Sequence, residues 1–415
     1  MMSFQNYWRT MTTTRSATKK HIAMYIGSLQ KGGAERVMCN LADYFFEEGY
    51  KVTLVTTYLA KEEHDVKHAA WKRVPAGADG AELVMDMDEN PAWVDPYGGE
   101  KGGIERVFSA LLKSEQKDRL TNLRLRHRKL REVWKKIDPD LILSFSGKNN
   151  IMALSTATMD GYKVVVSCRA DPDIEYGSKS MRAGMLATFG RAAGIVVQSN
   201  GAKERFPSFI QKKCTILPNS INPSFMRKRY VGEREKEIVM VARLHSNKNH
   251  AMVMEAFKEA TDKEHRDYSL VFYGDGPERA KLQRLAVTLG IEDRVVFAGN
   301  VTHVAEHIEK AMIFILASDH EGMPNSLIEA MSLGLACIST DCPCGGPRDL
   351  IKNEENGILV PVRDTDAIAA AIRRLIEDET LREKIGRNAT MLQDKLSPSV
   401  VNAKWKEYFE RVIGS

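Results

Sequence analysis

No run in this 415-residue chain approaches the roughly 20 consecutive apolar residues that a membrane-spanning helix needs. The first 20 residues hold no apolar core of the kind a secretory signal carries, so a cytoplasmic protein is expected. Paired cysteines are also missing. Cys39, Cys168, Cys214, Cys337, Cys342 and Cys344 show no Cys-x-x-Cys spacing and read as reduced thiols. Only Cys342 and Cys344, flanking Pro343, come near a metal-binding pair. A large excess of one charge is lacking too: the net charge of +5 is modest, its distribution matters more than its size, and nucleic acid is not an expected partner.

What is present is ample material for packed cores. With 43% apolar and 28% charged residues the chain is globular in composition. Its length exceeds one ordinary core and predicts two domains. Residues 1–20, polar and basic at their end, read as a disordered lead-in. Residues 21–27 read as a strand, 28–33 as a glycine-bearing loop and 34–48 as a helix with Val37, Leu41 and Phe45 on one face. That is the opening of a Rossmann-like unit. Gly32 and Gly33 would let backbone N–H groups approach a phosphate or an acceptor, although any strand-to-helix turn can carry such glycines.

A second strand follows at 51–57, and alternation then stops until about residue 103. The stretch 60–103, with Asp86, Asp88 and Glu89, reads as a long surface insertion. Residues 104–137 have a helical pattern. Between 117 and 136 this pattern carries nine Lys or Arg against Asp118 and Glu132. Leu120, Leu123, Leu130, Trp134 and Ile137 form its apolar stripe, which leaves Arg124, Arg128, Arg131 and Lys135 as outward candidates for an anionic membrane surface. A solvated helix packed on its sheet is the alternative.

Strands at 140–145, 163–168 and 194–198 bring the first sheet to at least five. The loop Arg169-Ala170-Asp171-Pro172-Asp173 clusters charge at a strand's carboxyl end, where open α/β sheets bind ligands. A salt-bridged turn competes with that reading. Pro218, Pro223 and the mixed charges of 227–236 mark a boundary, giving a first domain at 21–218 and a second at 219–399. In the second, strands at 238–242, 270–273, 295–298, 312–317, 336–340 and 358–362 alternate with helices, which demands parallel strands and an α/β class. The segment 400–415 reads as a packing helix.

The stretch Glu321-Gly322-Met323-Pro324-Asn325-Ser326-Leu327-Ile328-Glu329 is the centre of the functional reading. Glu321 falls on a strand-to-helix turn at a carboxyl end. Pro324 and the free N–H groups near Ser326 make a natural anion site. A capping box between Ser326 and Glu329 is the competing account of that pair. Arg243 and Lys248 lie on the first strand-to-helix loop of the second domain, so both cations should point at the crevice beside Glu321 and could hold a diphosphate.

Several motifs, in this order, resemble the retaining nucleotide-sugar glycosyltransferases of family 4, which have the GT-B fold. They are Gly32-Gly33-Ala34-Glu35, Val241-Ala242-Arg243-Leu244 with Lys248, Tyr273-Gly274-Asp275-Gly276-Pro277, Glu321-Gly322 with Glu329, and Asn356-Gly357-Ile358-Leu359-Val360. The resemblance runs from about residue 21 to the end. It implies two Rossmann-like domains facing across a cleft, with the nucleotide held mainly by the second and the last helix crossing back to the first. By position, Glu321 would bond donor-sugar hydroxyls and Glu329 the ribose, while Arg243 and Lys248 would stabilise the diphosphate leaving group. Gly322, Met323, Asn325, Ser326, Gly274 and Gly276 would line the donor site. No metal or other cofactor is implied.

Where many relatives carry a histidine after the first-domain strand, this chain has Arg169, which would take its place near the donor sugar. Ser167-Cys168-Arg169-Ala170-Asp171-Pro172 and Asp341-Cys342-Pro343-Cys344-Gly345-Gly346-Pro347 are similar to a subgroup making bacterial surface polysaccharides and lipid-linked oligosaccharides, though Cys168 departs from its usual Glu. The implied activity is transfer of a hexose or N-acetylhexosamine from a UDP-sugar to a growing, lipid-linked glycan at the inner membrane face. A UDP-sugar 2-epimerase of similar fold and a non-catalytic nucleotide-sugar-binding protein are the rival readings.

Overall fold

The computed structural model describes residues 19–57, 60, 62–70, 103–108 and 119–415. Two all-parallel sheets organise them. The first holds β1 (His21–Ile26), β2 (Lys51–Thr56), β3 (Glu105–Phe108), β4 (Leu141–Phe145), β5 (Val164–Ser167), β6 (Gly194–Val197) and β7 (Cys214–Ile216), in the spatial order β3-β2-β1-β4-β5-β6-β7. The second holds β8 (Glu235–Val241), β9 (Ser269–Tyr273), β10 (Val295–Gly299), β11 (Ala311–Leu316), β12 (Ala336–Thr340) and β13 (Ile358–Val360), in the order β10-β9-β8-β11-β12-β13.

Helices cover both faces of each sheet, so the central strands are buried on both sides and read as continuous apolar runs. Every residue of β1, β4 and β11 is buried. In both sheets the strand order reverses once, between β1 and β4 and between β8 and β11. The loops leaving those strands diverge there and open a crevice at the carboxyl edge.

The expected helix over 104–137 is corrected in its first part. Glu105–Phe108 is an edge strand paired with β2, Val55 opposite Val107, and the helix runs Arg119–Ile137. The physical reason lies in Arg106. Its guanidinium bonds Glu63 at 2.6 and 3.0 Å and Thr56 at 3.1 Å, so a strand tolerates a nearly buried charge that reads as a solvent-facing helical residue in the sequence.

Within the helix, Leu130, Val133 and Trp134 are buried, and Trp134 Nε1 donates to Thr156 Oγ1 at 2.9 Å. Leu123, assigned to the apolar stripe, is instead 51% exposed. The lead-in up to residue 18, most of the insertion 60–103, and Lys117 with Asp118 lie outside the described residues.

The last helix, Pro398–Gly414, packs back on the first sheet's helical layer. Phe409 stacks on Phe45 with centroids 4.9 Å apart, and Trp405 and Phe409 are both buried. Lys163 Nζ donates to the carbonyls of Val412 and Ile413 at 3.1 and 2.9 Å, satisfying two acceptors the helix end leaves open.

Candidate functional site

β8 and β11 are neighbours at the reversal of the second sheet, so the loops that leave them meet. The loop after β8 ends in a short turn, Ser246–Lys248, and Asn249 then adopts a left-handed conformation with φ of 54°. That turn aims the Asn249 amide at the next strand. Its Nδ2 donates to Ala317 O at 2.9 Å and Asp319 Oδ1 at 2.8 Å, and the Asp319 N–H returns a bond to Asn247 O at 2.9 Å. Arg363 also bonds Asp319, and this pairing holds that carboxyl below its ordinary range.

The stapled loops bring Lys248 Nζ into a direct hydrogen-bonded ion pair with Glu321 Oε1. Ser318 Oγ donates to the same oxygen at 2.7 Å. Among the described residues Glu321 Oε2 accepts nothing, so one carboxylate oxygen is held and the other is available. Arg243, expected beside this pair, is exposed, and no hydrogen bond or ion pair joins it to Glu321 or Lys248. Gly274 and Gly276 let the loops after β8 and β9 cross. A Cβ on either would stand 2.1 Å from Ala242 O or 2.4 Å from Leu244 O.

The helix Asn325–Ser332 starts at Pro324 with no side-chain cap. Its first internal bond is Ile328 N–H to Pro324 O at 3.2 Å, which leaves the N–H groups of Asn325, Ser326 and Leu327 without helical acceptors. The alternative of a capping box is thereby overturned. Ser326 lies inside the helix, and the Glu329 carboxylate is engaged elsewhere: Oε1 accepts from Arg36 Nη2 at 2.6 Å, across from the first domain. Burial pushes the Glu329 carboxyl up from its ordinary value, and Arg36 opposes that rise. Gly33 faces the same helix start, since a Cβ there would lie 3.1 Å from Asn325 Nδ2. Gly32 O lies 2.8 Å from His64 Nε2.

Residues 321–325 thread between the two domains. A Cβ on Gly322 would stand 2.7 Å from both Arg169 O and Gln198 Oε1, so only glycine fits that gap. Asn219, 4% exposed, is the hub there. Its Oδ1 accepts from Arg169 Nη2 and from Gln198 Nε2, the latter at 2.7 Å. Its Nδ2 donates to Met323 O at 3.1 Å and Asn325 Oδ1 at 2.8 Å.

Arg169 lies over the Phe145 ring, 4.7 Å from its centroid, and burial pulls its guanidinium down to about 10. The Glu175 carboxylate takes the N–H groups of Arg169, Ala170 and Gly147. Burial outweighs them and pushes it up to about 7. The charged turn is salt-bridged through Asp173 to Arg205, not through Arg169. Cys168 is buried against Tyr176.

The four outward cations on the basic helix do not stand alike. Arg131 makes two bonds to Asp160 at 2.9 and 2.6 Å, Lys135 lies 3.7 Å from the same carboxylate, and Arg128 lies 3.9 Å from Glu132. Arg124 is exposed, with no ion pair among the described residues.

The sequence reading missed Arg36, Gln198, Asn219 and Ser318. Arg36 directly follows the Gly-Gly-Ala-Glu motif, and its position was the available signal. Asn219 sat in a stretch read only as a boundary.

The pattern of Glycosyltransferase Family 4 matches residues 31–225, and that of Glycosyl transferases group 1 matches residues 223–391. The chain belongs to these glycosyltransferases. It is therefore a transferase, and its two Rossmann-like domains form the GT-B architecture. The glycosyltransferase is 26% identical over 399 residues to a Campylobacter jejuni protein named GalNAc-alpha-(1->4)-GalNAc-alpha-(1->3)-diNAcBac-PP-undecaprenol alpha-1,4-N-acetyl-D-galactosaminyltransferase. That match spans 94% of this chain and 98% of the other. An exopolysaccharide phosphotransferase of Streptomyces coelicolor is 33% identical over 199 residues, which make up 48% of this chain but 21% of that protein. Among solved structures, Anabaena HepE in complex with UDP gives a TM-score of 0.72 at 16% identity, over 94% of this chain and 100% of that one. At that identity the likeness shows the fold.

Proposed function

We propose that this glycosyltransferase moves a hexose or N-acetylhexosamine from a UDP-sugar, with retention, to a growing lipid-linked glycan. The donor domain would be residues 219–399, and the acceptor domain residues 21–218 with the last helix. The observation that carries the reading is the Lys248–Glu321 pair beside the uncapped start of helix Asn325–Ser332. A carboxylate with one free oxygen suits sugar hydroxyls, and uncapped N–H groups suit a diphosphate. The UDP complex of HepE and the PP-undecaprenol glycan in the Campylobacter name support the donor and acceptor classes.

In the reaction the bond from the anomeric carbon to the donor phosphate breaks, and a bond from the acceptor oxygen forms on the same face. The departing phosphate takes the acceptor's proton. Lys248, Arg243 and the helix N–H groups stabilise the charge that grows on it, and so serve where other enzymes use a metal. Glu321 Oε1 is already occupied by Lys248 and Ser318, which favours a sugar-orienting role over that of a nucleophile. Arg169 would act near the donor sugar from the first domain; its backbone carbonyl borders Gly322 and its guanidinium is bonded to Asn219. The basic helix would rest on anionic lipid, where a lipid-linked acceptor is found. No helix among the described residues is long and apolar enough to cross the membrane.

A thermal-shift panel of UDP-glucose, UDP-galactose and their N-acetylated forms tests the donor. At a hundredfold excess over its dissociation constant, the true donor should add about 2.7 kcal/mol of stability. UDP release must then depend on an undecaprenyl-diphosphate-linked oligosaccharide. No shift with any UDP-sugar refutes the donor class, and conversion of the UDP-sugar to its 2-epimer without acceptor favours the epimerase.

A further inference from the structure

Arg36 occupies the first turn of the helix Gly33–Glu47, immediately after the glycine loop, and its own N–H is donated to Gly32 O at 3.1 Å. From there its side chain crosses to the other domain and pairs with Glu329 at 2.6 Å, 293 residues away in sequence. The Glu329 side chain is 9% exposed and that of Arg36 28%. An unpaired carboxylate so deeply placed is costly, and here its compensation comes from the opposite domain. Any separation of the domains to admit a donor strips Glu329 of its counter-ion. Closure restores it.

The guanidinium itself is only partly used. It is a planar fork of five N–H donors, and among the described residues only Nη2 donates, to Glu329. Through Glu329 the Arg36 side chain reaches the helix whose start leaves the N–H groups of Asn325, Ser326 and Leu327 uncapped, and Gly33, three residues before Arg36, lies against Asn325 at that start.

Resting on the UDP-sugar reading, we propose that Arg36 is a donor-binding residue supplied by the first domain. Its unfilled N–H groups take a non-bridging oxygen of the nucleoside diphosphate as the cleft closes. Its bond to Glu329 keeps that carboxylate charged and aimed at the ribose.

Calorimetric titration of wild type and Arg36→Met with UDP and with uridine tests this. Loss of a charge-assisted hydrogen bond should weaken UDP about 10- to 100-fold, whereas uridine, which lacks the diphosphate and feels Arg36 only through Glu329, should weaken by a clearly smaller factor. Equal weakening of both would mean that Arg36 acts only through Glu329 and overturns the direct contact, as does an unchanged UDP affinity. Should Arg36→Met fold poorly because Glu329 is stranded, the double variant Arg36→Met/Glu329→Gln, compared with Glu329→Gln, reads the same contact. A wild-type protein that binds no UDP overturns the UDP-sugar reading and this inference together; wild-type binding with an unaffected variant overturns only the inference.

Discussion

Replacing Lys248 with Met removes the cation bonded to Glu321 Oε1, while Ser318 Oγ, 2.7 Å from the same oxygen, stays in place. Two consequences follow, and they differ in size. In the resting protein Glu321 loses its ion-pair partner. Breaking a fully buried pair costs about 3–5 kcal/mol, but the Glu321 side chain is 15% exposed and keeps one donor, so about 1–3 kcal/mol of stability should go. During transfer, negative charge builds on the leaving phosphate, and a cation held beside it interacts more strongly with the transition state than with the bound donor. Only that difference speeds the reaction. Loss of one preorganised donor typically lowers kcat about 100- to 1,000-fold.

Lys248→Met should therefore cut single-turnover rate at saturating UDP-sugar by about a hundredfold or more, with a smaller change in the UDP dissociation constant. Arg243→Met should act in the same direction, and the double variant should lose less than the sum if both serve one diphosphate. Intact saturated turnover with weakened donor binding would refute the leaving-group role and make Lys248 a binding contact only.

Two further predictions concern the first domain. On anionic vesicles, Arg124→Gln should weaken binding about fivefold, the equivalent of about 1 kcal/mol per surface cation; Arg131→Gln should chiefly lower the melting temperature, because Asp160 holds that side chain. Vesicle binding that survives Arg124→Gln, Arg128→Gln, Arg131→Gln and Lys135→Gln together would show that these charges only solvate the helix. Glu175, pushed by burial from 4.5 to about 7, binds a proton more tightly folded than unfolded. Its contribution to stability is thus complete below pH 4.5 and is lost as pH rises to about 7. Denaturant melts across that window should show stability falling with pH in the wild type, and Glu175→Gln should flatten the slope; an unchanged slope would place the titration elsewhere.

The Lys248–Glu321 pair was legible from sequence for a definite reason. Alternating strands and helices imply a parallel sheet, ligands gather at carboxyl edges, and both residues stand just after strands that end there. β3 was not legible, because Glu105-Arg106-Val107-Phe108 carries a charge whose partner, Glu63, lies across an insertion. Arg131 was assigned to the membrane face on helical period alone, which holds no trace of Asp160, 29 residues on. Asn219 and Arg36 were missed on the same ground. Asn219 has partners 21 to 106 residues away on both sides of the boundary, and Arg36 has its partner 293 residues away in the other domain, whereas local periodicity reports only on neighbours along one element.

Those long-range contacts bear on how the site is assembled. The Asn219 orientation is determined without ambiguity, since its oxygen faces the donors of Arg169 and Gln198 and its amide nitrogen faces the Met323 carbonyl. Reversing it would set donor against donor and acceptor against acceptor. Through Asn219, at the junction, the loop from Gly322 to Asn325 is therefore tied to Arg169 and Gln198 of the first domain, although it belongs to the second. Glu329, four residues further, depends on Arg36 for its countercharge. The loop and Glu329 are thus both held in place by contacts that cross the domain boundary, so neither domain alone presents these residues in this geometry.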